Sequence, residues 1–170
     1  PKALDALVEA FHTIYEKGGN IYTMGNGGSG ASASHAAGDF LKGASYGLNK
    51  RFKVICLNDN LPSMMAIAND IGWESIFVEP LKNFLSEDDL VIGISGSGNS
   101  KNVVNALEYA NANGMRMLPK GKSPYLASGA LRATTRPSRR AWATRRSFST
   151  RTRLTTAAST MTAGFVSMPR

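Results

Sequence analysis

Ile21-Tyr22-Thr23-Met24 runs directly into Gly25-Asn26-Gly27-Gly28-Ser29-Gly30, and Leu90-Val91-Ile92-Gly93-Ile94 runs directly into Ser95-Gly96-Ser97-Gly98-Asn99-Ser100. Both are short apolar, strand-like runs that end in a turn of glycine and serine and then open a helix-like segment. Glycine lets the backbone approach a ligand closely, while serine hydroxyls and the free N–H groups of a helix start can converge on one anionic group. Two such turns predict a phosphate cradle made of hydroxyls and backbone amides.

Rival phosphate signatures fit less well. No Lys-Ser or Lys-Thr closes a G-x-x-x-x-G run, which excludes a Walker A loop. Gly25, Gly27 and Gly30 have G-x-G-x-x-G spacing, but a single such match is weak support for a dinucleotide, and no nucleotide cofactor is expected. Two hydroxyl-rich loops suit a small sugar phosphate held through its phosphate and its hydroxyls.

Before the first turn, Leu4, Leu7, Val8, Phe11, Ile14 and Tyr15 recur at spacings of three and four, so Lys2 to Lys17 reads as a helix stopped by Gly18-Gly19. Strands are predicted at Ile21 to Met24, Phe52 to Leu57 and Leu90 to Ile94. Helices are predicted at Gly28 to Leu41, Met64 to Asp70, Trp73 to Leu85 and Ser100 to Asn113, with Gly114 as a stop and Met115 to Leu118 as the start of a fourth strand. Alternation of this kind implies an α/β fold, a three-layer doubly wound parallel sheet with its ligand at the carboxyl ends of the strands. The sequence leaves strand order open.

Charge divides the 170 residues in two. All twelve acidic residues lie at or before Glu108 beside eight basic ones, a net of −4, whereas the other twelve basic residues, Arg116 to Arg170, have no acidic neighbour and give +12. Residues 1–118 therefore read as the domain. Residues 119–170, rich in Arg, Thr, Ser and Ala without apolar period, read as a basic tail too polar to offset its ordering entropy. Either it is a basic arm for nucleic acid, or it is an out-of-frame segment. The abrupt loss of every Asp and Glu favours the second, so nucleic acid is not expected as a partner except through this tail.

Cys56 is the only cysteine, which excludes an internal disulfide and fits a reducing compartment. No apolar run has the length of a bilayer span and no signal-peptide pattern is present, so a cytoplasmic protein without a membrane partner is expected. The chain begins at Pro1, as a fragment or a processed form would. His35 and Asp39 stand at i, i+4 on the predicted second helix. That spacing suits an acid–base pair, two ligands of a divalent metal, or a plain surface hydrogen bond.

Gly25-Asn26-Gly27-Gly28-Ser29, His35, Asn69-Asp70 and Ser95-Gly96-Ser97-Gly98-Asn99-Ser100, in that order, resemble the sugar isomerase (SIS) domain and within it the phosphoheptose isomerase branch. The resemblance runs from about Pro1 to Met115. It implies a flavodoxin-like SIS sheet, disrupted or truncated after about residue 118. The implied activity is aldose–ketose isomerisation of sedoheptulose 7-phosphate to D-glycero-D-manno-heptose 7-phosphate by proton transfer.

By the same resemblance Asn26, Gly27, Gly28, Ser29, Asn69, Asp70, Ser95, Gly96, Ser97 and Ser100 contact substrate, and His35 and Asp39 are catalytic residues or ligands of zinc. Asp39 stands where the family has glutamate, and Gly96 where it commonly has threonine. The family's second catalytic histidine, on a late helix beside a glutamine, has no match, since His12 and His35 are the only histidines. The family also implies a homo-oligomer, a tetramer with shared sites. The alternatives within it are a noncatalytic binding or regulatory module and a replication-initiator-binding relative.

Overall fold

Leu7, Ala10, Phe11 and Ile14 form the buried stripe of helix α1 (Lys2–Lys17), and that stripe decides which side of the sheet the helix covers. A computed structural model describes residues 2–114, 116–117 and 130–135. Strand β1 (Asn20–Gly25) lies between β2 (Lys53–Cys56) and β3 (Leu90–Ser95) and is parallel to both, Tyr22 standing beside Ile55 on one side and Val91 on the other.

The alternation of side chains along these strands builds two cores. Ile21, Leu90, Ile92 and Ile94 face Phe11, Ile14, Ala33, Ala37 and Phe40, which come from α1, from α2 (Gly28–Gly38) and from the turn after it. Tyr22, Met24 and Val91 face Phe77, Leu81, Val103, Ala106 and Leu107, which come from α4 (Val78–Phe84), from α5 (Lys101–Ala112) and from the residue before α4. Helices thus cover both faces, the expected three-layer α/β arrangement. Gly93 lets α5 lie close, for a Cβ there would stand 2.6 Å from Val103 Cγ1.

Boundaries depart from expectation where side chains compete with periodicity. The second helix leaves α geometry at Gly38 and widens into a π-helical stretch, Asp39–Ala44. Buried Ser45 stabilises that widening by donating to Phe40 O at 2.7 Å and accepting from Phe52 N–H at 3.1 Å. Helix α3 begins at Leu61 rather than Met64 (Leu61–Asp70), because Asn60 caps it through Ser63 N–H at 3.2 Å and Pro62 suits a first turn. The single helix expected from Trp73 to Leu85 is instead a short 3₁₀ turn, Trp73–Ser75, followed by α4.

After α5 the chain departs further from a doubly wound sheet. The strand expected at Met115 to Leu118 is a two-residue β4 (Arg116–Met117), and it does not pair with β3. Between them lies β5 (Ala130–Thr135), antiparallel to both, in the order β2-β1-β3-β5-β4. The expectation of little order across residues 119–170 otherwise lies outside the described residues. Ala130-Leu131-Arg132-Ala133-Thr134-Thr135 carries β-compatible Leu and Thr, and β3, buried along its whole length, presents an edge whose backbone groups need partners. Among the described residues no helix is long and apolar enough to cross a membrane.

Candidate functional site

Gly25 ends β1, and in the parallel register it stands beside Ile94, so the turns that follow β1 and β3 leave the sheet side by side. The first turn is tight enough to demand glycine. A Cβ on Gly25 would lie 2.6 Å from the carbonyl carbon and oxygen of Ser29, and one on Gly30 would lie 2.9 Å from Gly25 O. Asn58, just past β2, fixes the same residue from the other side: its Oδ1 accepts from Gly25 N–H at 3.1 Å and its Nδ2 donates to Gly25 O at 2.8 Å.

Serine hydroxyls organise the second turn. Ser95 Oγ lies 3.1 Å from Ser100 Oγ and 3.5 Å from Ser97 Oγ, and accepts from Gly98 N–H at 3.1 Å. Ser97 Oγ accepts from Asn99 N–H at 3.2 Å. Ser95 is buried, whereas Gly96 and Ser97 are exposed. Ser100 precedes α5 but does not cap it, since its hydroxyl is turned to Ser95; Gly27 before α2 offers no side-chain cap either. Part of each helix start is bonded within the protein, Ser29 N–H and Gly30 N–H to Asn26 O at 3.0 and 3.3 Å and Val103 N–H to Asn102 Oδ1 at 2.9 Å, and the first N–H groups of both helices lie beside the two turns.

A reciprocal amide pair joins the turns. Asn26 Nδ2 donates to Asn102 Oδ1 at 2.9 Å and Asn102 Nδ2 donates to Asn26 Oδ1 at 2.8 Å. The structure thus brings together Asn26, Gly27, Gly28, Ser29, Ser95, Gly96, Ser97 and Ser100 on two adjacent strand ends. Asn69 and Asp70 sit apart from this bonding network: they are exposed at the end of α3, where Asn69 Nδ2 donates to Asp70 Oδ1 at 2.7 Å.

His35 and Asp39 lie further along the second helix, Nε2 to Oδ2 3.5 Å, too long for a hydrogen bond. The imidazole is 72% exposed, and Asp39 Oδ2, itself shielded from solvent, has no hydrogen-bond partner. An orphaned carboxylate oxygen facing an imidazole nitrogen suits proton transfer or a cation, and these are two of the donor types zinc takes. Two donors do not complete a zinc site, and among the described residues no group of three or more His, Cys, Asp and Glu is placed to hold a metal.

Asn58 and Asn102 are the site residues that motif reasoning missed. Each lies where a parallel sheet gathers ligands, beyond the carboxyl end of β2 and in the first turn of the helix after β3, and that position was the available signal. Nearby, Ser34 Oγ donates to Asp59 Oδ1 at 2.8 Å. Burial pushes the Cys56 thiol up from its ordinary pKa, so the cysteine beneath the site is a weak nucleophile.

Sheet order, paired serine-glycine turns and helix starts together define an α/β protein with two turns side by side at its strand ends. The SIS domain family matches residues 1–118, and the chain belongs to that family. It is 36% identical over 114 residues to the phosphoheptose isomerase of Chlorobium phaeobacteroides, covering 66% of this chain and 50% of that one. The phosphoheptose isomerase of Helicobacter pylori P12 is 41% identical over 124 residues, covering 69% of this chain and 64% of that one. The solved phosphoheptose isomerase of Francisella tularensis superposes with a TM-score of 0.61 at 28% identity, covering 66% of this chain and 58% of that one, and that of Neisseria gonorrhoeae with 0.59 at 28%, covering 65% and 56%. The chain thus spans about half to two thirds of the length of these relatives.

Proposed function

We propose that this chain binds a sugar phosphate across its two serine-glycine turns and acts as a phosphoheptose isomerase-like protein on sedoheptulose 7-phosphate. The observation that carries this reading is the joining of the two turns on adjacent parallel strands, with a serine cluster on one and Asn26 on the other. Hydroxyls of Ser97 and Ser100 and the first N–H groups of α5 receive the phosphate, and Asn26 with the backbone of Gly27 and Gly28 receives the sugar. Asn69 and Asp70 belong to the same reading as contacts at the far end of the ligand.

Aldose–ketose isomerisation needs one group that moves a proton between neighbouring carbons through an enediol and another that polarises the carbonyl oxygen. His35 and Asp39 are the acid–base pair of this reading, and the pair to which zinc is assigned. Their 3.5 Å separation, with Asp39 Oδ2 left without a donor, supports two groups free to exchange protons with a ligand rather than with each other, and supports only weak metal retention.

Two further features belong with the proposal. Helix α3 has no fully buried residue while Leu61, Met65, Ile71 and Trp73 on it and just after it are exposed, which supports a homo-oligomer, a tetramer by family likeness. The lone buried thiol supports a cytoplasmic location.

Calorimetric titration with sedoheptulose 7-phosphate, together with an NMR assay of its conversion, tests the reading. Binding with turnover that falls by about 10² or more in His35→Ala supports it. Binding without turnover makes the chain a noncatalytic binding module, and absence of binding overturns the reading.

A further inference from the structure

Asn102 is 1% exposed, and every polar contact it makes serves the start of α5 or the neighbouring turn. Its Oδ1 accepts from Val103 N–H at 2.9 Å as well as from Asn26 Nδ2 at 2.9 Å. The backbone bond settles which end of the amide is oxygen, because a peptide N–H can only donate. Asn102 Nδ2 therefore has to donate to Asn26 Oδ1, and the Asn26 carboxamide is fixed in turn.

Fixing that orientation determines what Asn26 offers a ligand. One of its two N–H bonds and one of its Oδ1 lone pairs are spent on Asn102, which leaves one donor and one acceptor on a half-buried side chain. A phosphate dianion presents acceptors only, so it meets the N–H well and the lone pair badly. A hydroxyl satisfies both, as it donates and accepts.

We propose that Asn102 is a positioning residue that acts through Asn26. By locking the Asn26 carboxamide it makes the first turn select a hydroxyl next to the anion bound on the second turn, so the pair discriminates a polyhydroxylated phosphate ester from bare phosphate. This rests on the sugar-phosphate reading above and assigns its specificity to a buried residue outside the serine-glycine motifs. The same two bonds join the turns directly.

The test is the ratio of affinities for sedoheptulose 7-phosphate and for inorganic phosphate, measured by titration of the whole chain and of Asn102→Ala, Asn102→Asp, Asn26→Ala and the Asn26→Ala, Asn102→Ala double variant. Asp is nearly isosteric, keeps both accepting bonds and loses the donating one, so it decides the matter if the Ala variant fails to fold. The ratio cancels the charge Asp introduces, because both ligands carry a phosphate. The ratio should fall about tenfold in each single variant and no further in the double one.

An unchanged ratio, whether both affinities fall in parallel or neither falls, gives Asn102 a purely structural role and overturns the proposal. If the unsubstituted chain itself binds bare phosphate as tightly as the sugar phosphate, or binds neither, the sugar-phosphate reading fails and the assignment falls with it.

Discussion

The two ends of the sheet solve the same problem in opposite ways. At the amino ends of β1 and β3 polar groups are bonded within the protein: buried Asp89 accepts from Asn20 N–H at 2.7 Å, Asn20 Nδ2 at 3.1 Å and Ser86 N–H at 2.8 Å. Lys17 pairs with Asp88 at that end, while Lys50 and Lys53 donate to Glu16 O and Gly18 O and so close the carboxyl end of α1. At the carboxyl ends of β1 and β3 neither Gly27 nor Ser100 caps the helix that follows it, and the hydroxyls of Ser95, Ser97 and Ser100 lie against one another. One end spends its polar groups on the fold, and the other carries the turns to which the proposed function assigns a ligand.

That contrast predicts which observable each substitution moves. The largest effect is expected at the closed end. Asp89→Ala removes a buried acceptor and strands three donors, costing about 4 kcal/mol of stability by chemical denaturation with no change in the affinity of the folded fraction for sugar phosphate. A loss of affinity in the folded protein would break the contrast, because it would tie the amino end to the ligand.

At the open end the expectation reverses. Ser97→Ala and Ser100→Ala should each weaken sugar-phosphate binding by about 2 kcal/mol in calorimetric titration, with little change in melting temperature. Ser97 is exposed and makes its bonds within the turn, so its loss strands no buried group of the core. A large fall in melting temperature with affinity intact would show that the serines serve the fold.

Tyr22 extends the closed end into the core, for its ring is buried while its hydroxyl donates to Phe84 O at 3.2 Å and feels Asp89. Burial first, and the Asp89 charge second, push its pKa up to about 12 from 10.0. The folded state thus favours the neutral phenol, and this contribution is fully present below pH 10 and lost as pH rises through about 12. A loss of about 2 kcal/mol between those limits is expected, and Tyr22→Phe should flatten that part of the stability profile measured by denaturant melts.

Much of this was legible in the sequence because the deciding signals are local. The 3.6-residue period of α1 and the apolar runs before each turn give helices and strands directly, and Gly25 is required by a backbone approach inside a single turn. Asn102 and Asn58 were signalled only by their position beyond predicted strands, since their partners lie across strand ends 76 and 33 residues away and a lone Asn forms no motif. The π-helical widening at Asp39 was hidden for a similar reason: it depends on Ser45 bonding back to Phe40, a side-chain competition that periodicity does not record. Nor could strand polarity be read after Gly114, where β5 pairs antiparallel on the edge of β3.

The smallest effect on stability is expected at His35 and Asp39, and it tests the contrast most finely. An exposed imidazole 3.5 Å from a carboxylate gains little from the pairing, because solvent screens the interaction and holding the ring costs entropy. His35→Ala should therefore shift denaturant stability by no more than about 0.5 kcal/mol at neutral pH. Asp39→Asn should be neutral or slightly stabilising, as it removes charge from an oxygen that no donor satisfies. If the pair holds zinc as proposed, the same substitutions should abolish that weak retention, read by titration with zinc under dialysis. A pair that stabilised the fold strongly would belong with Asp89 and Lys17, among residues whose work is complete in the free protein. A pair that costs the fold nothing and loses the cation belongs with the serine turns, and the acid–base assignment then rests on the same kind of residue as the phosphate site.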